Sequence, residues 1–163
     1  MRSTTPPPDP QPTDPADLIE AYFEKGWTDG LPVVPPSEKA VAAMLAAADL
    51  PAGAVVGTIP GRNVRVTADR VAVNAVMAGC LPEYFPVLVA AFEAMDKPDF
   101  NFHGSTASTG GSAPLLIVSG TVADDIGMNA DVNLFGPGNR ANATIGRADV
   151  RALRGASCRG SRG

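Results

Sequence analysis

The sequence predicts a small α/β or α+β protein: a single domain of several helices and short strands joined by Gly/Asn-rich loops. Three observations predict it. Stretches with apolar residues at helical spacing alternate with short β-branched runs. Proline and glycine clusters separate them. The chain has 163 residues, enough for one real core and too few for two ordinary ones. Hydrophobic residues make up 45% and aromatics only 6%, so the core should be built from small side chains.

Residues 1–13 are rich in Pro and Thr and read as a disordered leader. The folded domain is expected over 14–148. Asp14-Pro15-Ala16-Asp17 reads as a helix start, with Asp14 as N-cap, Pro15 at the first helical position and Asp17 near the positive helix end. Leu18, Ile19, Tyr22 and Phe23 then make an apolar stripe, and Gly26 should stop the helix. Residues 27–36 carry three prolines, which forbid a helix. Trp27, Leu31, Val33 and Val34 are expected to pack this extended segment on the core.

Ser37 should cap a second helix, to about Ala48. Residues 55–59 and 63–66 read as two short strands around a Pro60-Gly61 turn. Thr67 should cap a helix to Ala78, with Asp69 favouring its start. A further helix is expected over 82–95; Pro86 fits in its first turn, where few amide bonds are lost. Residues 101–113 form a Gly/Ser/Thr loop. Residues 115–118 read as a short, fully apolar strand, and 121–126 as a brief helix. Residues 127–138 are a second loop, rich in Gly and Asn, and 139–148 look helical. No internal repeat is present.

Residues 149–163 break the pattern. Five of the ten arginines fall between Arg147 and Arg162. Val150 and Leu153 are the only sizeable apolar residues, and three glycines oppose a continuing helix. This stretch is expected to be a basic tail, either disordered or the aberrant end of an incomplete chain.

Charge and segment lengths exclude some classes. The formal net charge is −4 and the pI about 4.9, which argues against nucleic acid as a partner. No apolar run approaches the length of a membrane span. No charged and apolar leader reads as a secretory signal. Two cysteines make no disulfide framework, so a reduced cytoplasmic setting is expected.

Cys80 is the leading candidate for chemistry. It lies in the run VAVNAVMAGCLPEY, where Gly79 and Pro82 break the helix on either side. A thiol there is held rigidly, close to the start of the next helix, whose positive end would favour a thiolate. Equally, Cys80 reads as packed core, since free cysteine is among the most buried residue types. No CxxC spacing supports a thioredoxin-like mechanism. His103, the only histidine, would serve as general base or orient the thiol; the alternative is a loop histidine bonded to backbone. One histidine and one cysteine in the expected domain make a poor case for a metal site.

The loops 104–112 and 136–142 are candidate anion sites, with Thr106, Ser108, Asn139, Arg140 and Asn142 positioning a substrate. Neither matches a phosphate-binding glycine motif. Asn129, Asn133, Asn139 and Asn142 either line a polar pocket or only cap and turn. Glu83, Asp124 and Asp125 have no acid/base spacing and are assigned to solvent.

The blocks GWTDGLPVVPPSEKAV, VAVNAVMAGCLPEYFPVLVAA and NLFGPGNRANATIGRA resemble those of a family of uncharacterised bacterial proteins. The resemblance covers about residues 20–148. It implies no named activity. It implies a longer protein, of which this chain would be a truncated N-terminal portion. It also implies an association with proteins that carry a selenocysteine-Gly-Ser-Cys motif, and hence thiol or selenol chemistry nearby.

Two functions are therefore expected. One is an enzyme, or enzyme subunit, acting on a small anionic molecule through Cys80, with no cofactor identified. The other is a non-catalytic subunit that docks on a partner protein, as a hetero-subunit or homo-oligomer. An inactive fragment is a third reading.

Overall fold

A computed structural model describes residues 14–59, 64–101, 104 and 113–158, with side chains as far as residue 153. The expected leader at 1–13, the Pro60-Gly61 turn and most of the 101–113 loop lie outside the described residues. The fold is α+β: among the described residues, six helices and a two-stranded antiparallel sheet. The chain divides into two compact units between Val33 and Val34.

The first unit contains helix α1 (Pro15–Glu24). Asp14 caps it as the sequence predicts, its carboxylate accepting the Ala16 N–H at 2.8 Å. The chain turns at Gly26, where φ is +68°. Trp27 then folds back: its N–H donates to Tyr22 O at 2.8 Å, and its ring lies 5.2 Å from that of Tyr22. The Lys25 ammonium sits 5.1 Å above the indole. The expected burial of this segment is not found. Trp27 is 50% and Leu31 56% exposed. Of the apolar stripe only Tyr22 is buried.

The second unit opens with Val34, also about half exposed against expectation. Helix α2 (Glu38–Ala47) follows, capped by Ser37, whose hydroxyl accepts the Ala40 N–H at 3.2 Å. We predict that Ser37→Ala costs about 1 kcal/mol, read as the drop in chemical-denaturation stability. Strands β1 (Val55–Ile59) and β2 (Val64–Thr67) pair antiparallel, with Gly57 opposite Val66 and a bulge between Val55 and Gly57. Gly57 lies under helix α4 (Phe85–Met95), where a Cβ would stand 3.4 Å from the Phe92 carbonyl oxygen. Thr67 occupies the N-cap of helix α3 (Ala68–Ala78), but its hydroxyl bonds Asp69 rather than a helix amide.

Helix α3 is the centre of this unit. Val71, Ala72, Ala75 and Val76 are all buried. A single 3₁₀ turn (Pro82–Tyr84) leads into α4, which contributes Phe85, Leu88, Val89, Phe92 and Met95 to the core. A short helix, α5 (Thr121–Asp125), precedes the last, α6 (Arg140–Cys158). α6 packs along α3 through Ala141, Ile145, Ala148 and Ala152. The α3–α6 contact is thus rich in alanine, as the expected small-residue core requires, while α4 supplies larger side chains.

Two sequence expectations need correction here. The stretch 115–118 is not a ladder strand. It has no regular structure, packs Leu116 against the core and pairs with no described strand. And α6 does not end at Ala148. Its apolar face continues through Ala148 and Ala152, small side chains that a search for large apolar residues passes over. Among the described residues no helix is long and apolar enough to cross a membrane.

Candidate functional site

The end of α3 and the start of α6 bring together four of the sequence-predicted residues: Cys80, Asn139, Arg140 and Asn142. His103, Thr106 and Ser108 lie outside the described residues.

The junction begins with Gly79, at φ +91°, where the left-handed conformation favours glycine. The Gly79 N–H donates to Val76 O at 2.9 Å and the Cys80 N–H to Ala75 O at 3.0 Å. That pair of bonds is the Schellman pattern, with Pro82 following to prevent continuation. Arg140 caps the same end from across the interface. Its Nε and Nη2 donate to the Gly79 carbonyl at 3.0 and 2.9 Å. A cation at a helix C-terminus is favourable, because the last carbonyls carry partial negative charge.

Cys80 is 6% exposed and belongs to the core. Its Sγ donates to the Thr144 carbonyl at 3.3 Å. Burial pushes the thiol pKa up; smaller effects of the Thr144 side chain and the Arg140 charge pull it down, and burial wins. The sequence argument placed Cys80 near the positive end of the next helix. That next element is only a three-residue turn, and the thiol is engaged with α6 instead. The junction therefore holds a neutral thiol as a hydrogen-bond donor. A nucleophile needs the opposite balance.

The asparagines cap and turn. Asn139 Oδ1 accepts the Asn142 N–H at 3.0 Å, an N-cap for α6, and Asn139 Nδ2 donates to Gly127 O at 2.7 Å. Asn142 accepts the Asn129 N–H at 3.0 Å and donates to Asn129 O at 2.8 Å and to Leu134 O at 3.1 Å. Asn133 sits in the left-handed region, at φ +65°, in the turn closed by the Gly136 N–H on Asn133 O. The side-chain amides of Asn139 and Asn142 thus tie the 127–138 loop to the start of α6, while that of Asn129 bonds within the loop, to Val132 O and the Asp131 N–H. Their polar atoms are occupied by backbone.

An open depression of about 480 Å³ lies elsewhere, lined by Gly53, Val64, Arg65, Thr67 and Arg70. The first α3 amides beside it are already bonded. Ala68 N–H donates to Ala54 O, Asp69 N–H to Ala52 O, and Arg70 N–H to the Asp69 carboxylate. No free helix N-terminus faces an anion there. Among the described residues, no group of three or more His, Cys, Asp or Glu side chains is placed to hold a metal ion.

Sequence reasoning missed two participants. Thr144 supplies the carbonyl that takes the thiol proton's hydrogen bond, a backbone role that side-chain motifs do not reveal. Asp149, assigned to a tail, is 1% exposed on α6. Its position four residues after Ile145 was the available signal, since that spacing puts it on the buried face. Comparison with protein-family models, curated proteins and solved structures finds no match for this chain.

Proposed function

We propose that the chain is a non-catalytic subunit, working in a reduced cytoplasmic setting, that docks on a partner protein by adding a strand along residues 114–118. One observation carries this reading. Leu115 and Ile117 are 66% and 85% exposed, while Leu116 between them packs against the core. Residues 114–118 make no backbone hydrogen bond to any described residue. A segment with alternate side chains exposed and no backbone hydrogen bond to the described residues is a candidate template for another strand. Backbone pairing would supply affinity, and the Leu115 and Ile117 side chains would supply selectivity for a strand with apolar residues at alternate positions.

The thiol-enzyme reading draws less support. Cys80 is buried and neutral, Arg140 is bonded to Gly79, and Asn139 and Asn142 are bonded to loop backbone. The family resemblance, with its associated partner proteins, points the same way as the exposed segment.

A photo-crosslinking amino acid at Leu115, in the full chain in its own cell, tests the proposal. We expect one discrete hetero-adduct, lost at least about tenfold when Ile117→Pro removes a strand amide. A label at exposed Glu93 serves as control. No adduct, or the same adducts from Glu93, overturns the proposal. An adduct of two copies of this chain overturns the hetero-subunit assignment.

A further inference from the structure

Helix α6 is held in two different ways along its length. Its first half is pinned by directional bonds. Asn139 caps it, Arg140 reaches Gly79, Asn142 ties the 127–138 loop, and the Thr144 carbonyl accepts from Cys80. Ile145, 2% exposed, is the last large anchor. Gly146 follows, exposed, with no neighbour within 4 Å of the place its Cβ would take. Glycine inside a helix is its weakest link.

The described core contacts of the second half are mostly small and apolar. Ala148 and Ala152 are buried, and Leu153 is partly buried against the core. Arg151 reaches Met77 Sδ at 3.7 Å, a contact with a weak acceptor. Between the two alanines lies Asp149, 1% exposed, with neither carboxylate oxygen in a hydrogen bond. Native proteins rarely leave a buried carboxylate unpaired, and each exception calls for an explanation.

Among the described residues no charged group hydrogen-bonds the Asp149 carboxylate. The elements most closely packed on α6 are α3, α4 and β2. Their charged groups are Asp69 and Arg70, Glu93, and Arg65. Arg65, Arg70 and Glu93 are exposed, and Asp69 is bonded to Thr67 and the Arg70 amide. Asp96, just beyond α4, takes both its bonds from Thr58. On α6 itself stand Arg140, Arg147, Arg151 and Arg154, the last with its side chain outside the described residues. Burial alone accounts for the Asp149 pKa, raised to about 6.

We propose that residues 146–153 form a proton-controlled latch, docked on α3 while Asp149 is neutral and released about Gly146 when it ionises. The sign follows from linkage. The folded state holds the proton more tightly than the unfolded chain, so docking is strongest in acid. It weakens as pH rises from the ordinary carboxylate range through about 6. The first half, tied by hydrogen bonds to groups that do not titrate in this window, stays in place. Release therefore uncovers a limited stretch rather than unfolding the unit.

Amide hydrogen exchange on the full chain at pH 5 and pH 7.5, corrected for intrinsic rates, tests this. We expect protection of 147–153 to fall at least about tenfold at the higher pH while 141–145 holds steady. Asp149→Asn should abolish the difference. Equal protection at both pH values, a uniform loss along α6, or a pH response retained in Asp149→Asn overturns the latch. If Asp149→Asn does not fold, the carboxyl ¹³C titration of Asp149 in the unaltered chain decides. A midpoint near 6 supports the latch, and one in the ordinary carboxylate range overturns it.

Discussion

Native Cys80 will react with iodoacetamide at least about a hundredfold more slowly than a free thiol at neutral pH, and fully once the chain is unfolded. Two effects multiply. The thiolate is the attacking species, and burial raises the Cys80 pKa, so less of it is ionised at any given pH. The sulfur is also out of reach, 6% exposed, with its proton directed at the Thr144 carbonyl. Reagent must wait for α3 and α6 to part. Peptide mapping by mass spectrometry separates Cys80 from Cys158. Labelling of Cys80 at or above the free-thiol rate would restore it as a nucleophile and remove the main physical objection to the enzyme reading.

The second large effect belongs to Asn142. Asn142→Ala should lower stability by about 2–4 kcal/mol, measured by urea unfolding, because it deletes three hydrogen bonds at once. It also leaves the Asn129 N–H without its acceptor and two carbonyls without their donor. Asn142→Asp is the sharper probe. It retains an acceptor for the Asn129 N–H but sets a negative charge against the Asn129 and Leu134 carbonyls. It should be at least as damaging as alanine. An alanine variant within about 0.5 kcal/mol of the parent would mean that the loop is held elsewhere.

These two residues also show how far the sequence could be read. Helix boundaries were legible wherever a local rule sets them. Asp14 and Ser37 cap as their side-chain chemistry dictates, and Gly79 with Pro82 ends α3 where only glycine takes a left-handed turn easily. The asparagines were legible as a cluster, but the choice between pocket and cap depends on partners as far away as Gly127 and Leu134. The apolar run 115–118 has the composition of a strand, yet a strand requires a neighbour, and composition does not supply one. The continuation of α6 was hidden because its buried face is alanine with an aspartate in it. That pattern resembles a polar tail until α3 is placed alongside. Trp27 and Leu31 misled in the opposite sense: size and apolarity predicted burial, and both are half exposed.

The pairing of Gly79 and Cys80 with α6 also sets a timetable. The Arg140 cap lies 61 residues after the carbonyl it serves, and the Thr144 acceptor lies 64 residues after Cys80. Contacts so distant along the chain close late, after the local helices have formed. Until residue 144 has been made and brought back, the thiol has neither cover nor acceptor, and the exposed end of α3 is uncapped. On the ribosome, Cys80 is therefore an oxidisable group for the whole interval in which the last helix is still being synthesised. Its disappearance from solvent marks the moment when the second unit closes.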